Sequence, residues 1–188
     1  MDALLTALLG CFLGEMGDKG QLLLAALAAR FGRPRAVIAG AAAAVLANAT
    51  IAAATAAFII PMLGSDARLL FLALAVLFLG VAMLWRVKAP DPLADWPTGP
   101  FVTAALGLFI LGFGEGSQFL ILGIATRTAD PVMAAAGGAI GMMAALVPAI
   151  LLREALVRHA AVRAVRRVAG VLMLLIALRL GVTALGLA

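Results

Sequence analysis

One cysteine and one histidine in 188 residues remove several chemistries at once. Cys11 has no second thiol to join, which excludes an intrachain disulfide and a cysteine metal cluster. His159 stands alone in a basic stretch and is too isolated to act as a ligand. Charge is scarce as well: 12% of the residues, against about 25% in an ordinary soluble domain. The longest polar connection is residues 86–100, which leaves no room for a soluble domain. No intramembrane histidine pair, nucleophile–base pair or phosphate-binding loop is present, so no enzyme is expected. The opening Met1-Asp2-Ala3 carries no basic segment, so a cleaved signal peptide is not expected. The net charge of +5 comes from arginines in short turns between apolar runs. That distribution fits membrane topology and anionic headgroups, and nucleic acid is not an expected partner.

What is present is apolar: 65% of the chain, in successive windows long enough to cross a bilayer, which takes about 20 helical residues. A β-barrel would instead alternate over segments of about 10 residues. The expected fold is therefore an all-α integral membrane protein, a single membrane domain over residues 1–188 with six transmembrane helices. The spans fall near residues 3–29, 36–60, 69–85, 101–126, 132–152 and 168 to the end. The connection 86–100, with Pro90, Pro92, Pro97 and Pro100, reads as an extended linker. Basic residues 153–167 read as a topology determinant, able to lie along the interface, and Arg179 as a snorkelling side chain. Ten Lys and Arg flank the loops on one side of these spans and two, Arg68 and Arg127, lie on the other. The positive-inside rule then puts the 86–100 linker in the cytoplasm and both termini outside it, in a multi-pass protein of the cell membrane.

The two halves match without gaps. Aligning Gln21 with Gln118 gives an offset of 118 − 21 = 97, at which Gly17 meets Gly114, Arg30 meets Arg127, Pro34 meets Pro131 and Gly40 meets Gly137. Residues 1–85 and 101–188 thus form two three-helix repeats. Three is odd, so the second copy inserts upside down, the plan of many secondary transporters with a midplane site where the repeats meet. Gly10-x-x-x-Gly14 and Gly137-x-x-x-Gly141 read as close-packing sites, and Asn48, Thr50 and Thr55 as interhelical hydrogen-bonding groups.

The chemistry concentrates in Gly14-Glu15-Met16-Gly17-Asp18-Lys19-Gly20-Gln21, inside the first span. Each ionisable group there costs roughly 2.5–3.5 kcal/mol on insertion scales, so such a cluster marks a substrate or ion pathway. If helical, Glu15, Asp18 and Lys19 share a face at i, i+3 and i+4. Gly14, Gly17 and Gly20, with Gly114 and Gly116 in the second copy, allow the backbone to unwind instead where it lines a cavity. At the repeat offset Glu115 aligns with Asp18, Ser117 with Gly20 and Gly112 with Glu15. Glu15, Asp18 and Glu115 then converge with Gln21, Ser117 and Gln118 as an all-oxygen set suited to hard divalent cations such as Ca²⁺, Mn²⁺ or Mg²⁺. Three carboxylates and the Lys19 ammonium sum to −2, which one divalent cation or protons neutralise; that exchange is the basis of metal/proton antiport. A purely structural reading pairs Glu15 with Lys19 and bonds Asp18 to a neighbouring span, but leaves Glu115 unexplained. An exporter of a small organic cation or amino acid on a similar scaffold is the alternative function.

The string E-M-G-D-K, followed two residues on by Gln21, resembles the E-x-G-D-[KR]-[ST] signature of the Gdt-type family of divalent cation/proton exchangers. The basic turn from Ala28 to Pro34 is similar too, and so is the plan of two motifs in inverted three-helix halves. The resemblance implies export of Mn²⁺ or Ca²⁺ driven by inward proton movement, with Glu15 and Asp18 as cation ligands and Lys19 as a neighbouring charge. It implies no cofactor; the partners are the lipid bilayer, the cation and protons, and a homodimer is compatible with the plan. The chain departs from the pattern at Gly20, where the family has Ser or Thr. In the second copy Gly112, Glu115 and Gly116 stand for the Glu, the Asp and the basic residue.

Overall fold

The computed structural model of the protein describes residues 1–152 and 160–187. Among these there is no strand. The helices are α1 (Asp2–Glu15), α2 (Lys19–Phe31), α3 (Pro34–Ile59, continued by a 3₁₀ turn Ile60–Met62), α4 (Ser65–Leu84), α5 (Pro100–Gly112), α6 (Gly116–Thr128), α7 (Pro131–Leu152) and α8 (Ala160–Ala184). Prolines open α3, α5 and α7, where the missing N–H is no loss because first-turn donors have no helical partner anyway. Gly32 ends α2 in the left-handed region and Ala129 ends α6 in the same way.

Four helical stretches are long and apolar enough to cross a membrane: Pro34–Met62, Ser65–Leu84, Pro131–Leu152 and Ala161–Ala184. The pair α5–α6 qualifies as a fifth span, bent by 66° at its break. The α1–α2 pair, with Glu15, Asp18 and Lys19 at its own break, is not among them. The sequence reads residues 3–29 and 101–126 as single spans; each is two helices in the structure.

Many large apolar side chains face outward, and alanines are frequent inside beside Leu24, Leu27, Ile121 and Leu146. Leu9, Phe58, Phe78, Ile110, Leu175 and Leu178 are exposed, while the buried core is rich in Ala3, Ala7, Ala41, Ala44, Ala104, Ala134 and Ala149. Lipid tails are as apolar as leucine, so helices in a bilayer gain from close backbone approach instead of apolar burial. The glycines show how close. A Cβ on Gly40 would run into the Phe101 carbonyl oxygen, and one on Gly137 or Gly141 into those of Leu4 or Leu8. Thus α3 packs on α5 as α7 packs on α1, with both contact pairs, 40 with 101 and 137 with 4, exchanged at the offset of 97.

No helix interrupts residues 86–99. Arg30, at the end of α2, holds this segment by donating to the carbonyls of Leu93, Ala94 (2.9 Å) and Trp96 (3.3 Å). Leu93 in turn sits over Gly107 of α5. Of the basic stretch 153–167, residues 153–159, with Arg153, Arg158 and His159, lie outside the described residues. Residues 160–167 are the first two turns of α8, continuous with the apolar part of that helix and not a separate interfacial segment.

Candidate cation site

The two helix breaks have the same backbone. Gly17 (φ 69°) and Gly114 (φ 76°) both take the left-handed conformation that a side chain disfavours. The N–H of Gly17 donates to the side-chain oxygen of Gln21 at 2.9 Å, and that of Gly114 to Gln118 at 2.6 Å. Asp18 N–H donates to Glu15 O (3.2 Å), and Glu115 N–H to Gly112 O (3.3 Å). The two amide groups also reach across the molecule. Gln21 Nε2 donates to Ala145 O at 2.8 Å and Gln118 Nε2 to Asn48 O at 3.3 Å, and 145 − 48 is again 97. Both glutamines therefore lock a break to the opposite half through backbone groups. The unwound residues are Met16–Asp18 and Phe113–Glu115; Gly14, Gly20 and Gly116, expected to unwind, remain helical. Their role is space: a Cβ on Gly20 would stand 3.1 Å from Glu15 Oε2, and one on Gly116 2.9 Å from Leu79 Cδ1.

The break changes where the charges go. Glu15, Asp18 and Lys19 do not share a helix face, because the chain turns between them, and no Glu15–Lys19 pair forms. Glu15 closes α1, is 6% exposed, and accepts from Ser117 Oγ at 2.7 Å. Asp18 sits at the N-cap of α2 and meets Arg166 Nη2 of α8 at 2.9 Å. Lys19 opens α2 and its Nζ contacts Glu115 Oε1 at 3.0 Å. So Glu15, Asp18, Glu115, Lys19 and Ser117 are brought together from both halves, with Glu15, Asp18 and Glu115 in electrostatic reach of one another. Among the described residues, however, no three Asp, Glu, His or Cys side chains stand close enough to hold a metal ion. Each carboxylate is bonded to a group of the protein's own.

Arg166 is the residue that sequence reasoning missed. It is 6% exposed. Besides Asp18, it donates through Nε to Met83 O (3.1 Å), through Nη2 to Ala82 O (3.0 Å) and through Nη1 to Met16 O (3.3 Å). Those carbonyls lie in the last turn of α4 and just past α1, where helix ends leave acceptor capacity unused and the dipole favours a cation; Ala82 O also accepts from Trp85 N–H at 3.3 Å. A signal for it exists: Arg166 continues the buried stripe Val162, Ala169 and Ala177 of α8 at helical spacing. Arg179, two residues past that stripe's other end, is exposed.

Two cavities meet at the charged residues. One of about 580 Å³ is lined by Asp18, Lys19, Glu115, Ser117 and Arg166, with Trp85 and Arg86 among its other walls. A second, of about 10 Å³, is lined by Glu15, Glu115, Asn48 and Gly112. The smaller has room for about one water-sized sphere. Glu115 belongs to both.

Compared with known proteins, residues 3–91 and 100–187 match the family described as "Divalent cation/proton antiporter GDT1". A protein of Vibrio cholerae serotype O1 described as "Putative manganese exporter" is 31% identical over 183 residues, which is 95% of this chain and 90% of that protein. No solved structure matches the chain.

Proposed function

We propose a role that starts from family membership: the chain belongs to the GDT1 family of divalent cation/proton antiporters, and we infer that it exports Mn²⁺ or Ca²⁺ across the cell membrane in exchange for protons. The observation that carries this reading is the meeting of Glu15 and Glu115 from two broken helices inside an apolar helical body. Glu15, Asp18 and Glu115 are the cation ligands in this reading, which requires them to move together and exchange their present partners, Ser117, Arg166 and Lys19, for the ion. Ser117 orients Glu15, Lys19 balances Glu115, and Gln21 and Gln118 hold the two breaks open. The ion travels through the larger cavity and is stripped of water in the smaller, whose size suits a bare ion better than an organic cation or amino acid. The relative's description favours manganese.

The architecture we propose is six spans in two inverted three-helix repeats, residues 1–85 and 101–188, joined by a cytoplasmic linker. It counts the α1–α2 pair as a broken span equivalent to α5–α6. The matched breaks and the contacts exchanged at an offset of 97 support it. The ten-to-two distribution of basic residues supports termini outside the cytoplasm.

The test is Mn²⁺ and Ca²⁺ flux in proteoliposomes under an imposed pH gradient. Glu15→Gln and Glu115→Gln are each expected to lower flux by about 100-fold or more, beyond the roughly 10–100-fold cost of losing a partner that only supports a metal ligand. Wild-type flux in both variants removes the site; flux indifferent to the pH gradient removes the coupling.

A further inference from the structure

The family-type second motif is incomplete here, since position 112 is glycine where the first copy has Glu15. The structure shows what fills that room. A Cβ on Gly112 would lie 2.9 Å from Asn48 Nδ2, so the α3 amide occupies the volume that a side chain at 112 would enter. Asn48 is 3% exposed, and its Oδ1 is buried without a hydrogen-bond partner, alone among the side-chain polar atoms of the described residues. Its Nδ2 faces Phe109 O at 3.4 Å, a long contact that favours this orientation of the amide over the flipped one.

An orphaned buried acceptor costs about 1–3 kcal/mol, and such groups are rare without a purpose. Asn48 lines the same 10 Å³ cavity as Glu15 and Glu115. Amide oxygens are ordinary ligands of hard divalent cations. Asp18, by contrast, is held by Arg166 at the edge of the other cavity.

We propose that the Asn48 side-chain oxygen is a direct ligand of the transported cation, replacing the acidic group that the second motif has lost. The inference rests on the cation-site reading above. A neutral oxygen in place of a carboxylate keeps the ligand count while lowering the site's negative charge. Asn48 therefore tunes the site towards weaker binding and faster release.

Concentration dependence of Mn²⁺ flux tests this in two directions. Asn48→Ala is expected to raise KM about tenfold with kcat changed much less. Asn48→Asp is expected to lower KM about tenfold and slow turnover. If Asn48 serves only as a donor to Phe109 O, both variants lose folded protein or kcat at unchanged KM, and the proposal is overturned. A measurement on the unaltered protein decides the matter if neither variant accumulates. Asn48 is the only asparagine in the chain. Cell-free synthesis with asparagine ¹³C-labelled at the side-chain carbonyl then marks a single site for electron–nuclear double resonance on bound Mn²⁺. A ¹³C coupling of a directly ligated carbonyl is the expected result, and its absence overturns the proposal. Absence of Mn²⁺ binding by the wild-type protein would instead sink the cation-site reading itself.

Discussion

The two helix breaks share a backbone and differ in charge. Both turn on a left-handed glycine held by a glutamine four residues on, and both place an acid at the N-cap of the following helix. The first break carries Glu15, Asp18 and Lys19; the second carries Glu115 alone. The partners of the two equivalent acids differ too. Asp18 meets a buried guanidinium from α8, while Glu115 meets a lysine whose side chain is 45% exposed. Glycine and glutamine therefore act as scaffold, retained in both copies because the geometry needs them twice. The charges are chemistry, and one shared site requires only one full set.

The contrast between the two acids gives the largest expected effect. Arg166→Gln leaves Asp18 and three carbonyls without their donor and is expected to destabilise the protein by about 3 kcal/mol or more, the usual cost of breaking a buried pair from one side. Unfolding in detergent micelles titrated with sodium dodecyl sulfate measures it; a loss below about 1 kcal/mol would mean that Arg166 does not hold α1, α4 and α8 together.

The likeness of the two backbones gives the next effect. Gly17→Ala and Gly114→Ala should each cost about 1–2 kcal/mol, the penalty for a side chain in the left-handed region. The values are expected to agree within about half a kcal/mol in the same unfolding measurement. A large inequality would break the comparison, because it would show one of the turns to be dispensable.

The smallest effect belongs to the half-buried pair of Lys19 and Glu115. Lys19→Gln is expected to change stability by about 1 kcal/mol, less than Arg166→Gln because Lys19 makes one such contact and is far less buried than Arg166. Its consequence should instead appear in the KM for Mn²⁺, which transport assays read directly. A stability loss as large as that of Arg166→Gln would erase the distinction between a structural and a functional counter-charge.

Much of the fold was legible in the residues. Apolar windows bounded by Pro34, Pro100 and Pro131 located helix starts, and the offset of 97 located matching breaks. Which glycine would unwind was not legible. Gly14, Gly17 and Gly20 are chemically alike, and only the glutamine four residues beyond Gly17 distinguishes it. Arg166 was read as a loop charge because it belongs to a basic run, although the spacing of Val162, Ala169 and Ala177 puts it on a buried face. Asn48 reads as an interhelical hydrogen-bonding group; its Nδ2 meets Phe109 O of α5, and that its Oδ1 is left without a partner was not legible.

Local pattern was enough to decide that this chain crosses membranes as helices, that its first and fourth apolar runs hold matching polar interruptions, and which family it belongs to. Those properties depend on composition, periodicity and near neighbours along the chain. The pairing of Asp18 with Arg166, of Lys19 with Glu115, of Glu15 with Ser117, and the unpartnered oxygen of Asn48 were decided only by tertiary structure. These residues lie far apart in the chain, and their meeting depends on how small side chains let α1, α3, α5 and α7 approach. No spacing within a single helix encodes which of its faces will find a partner.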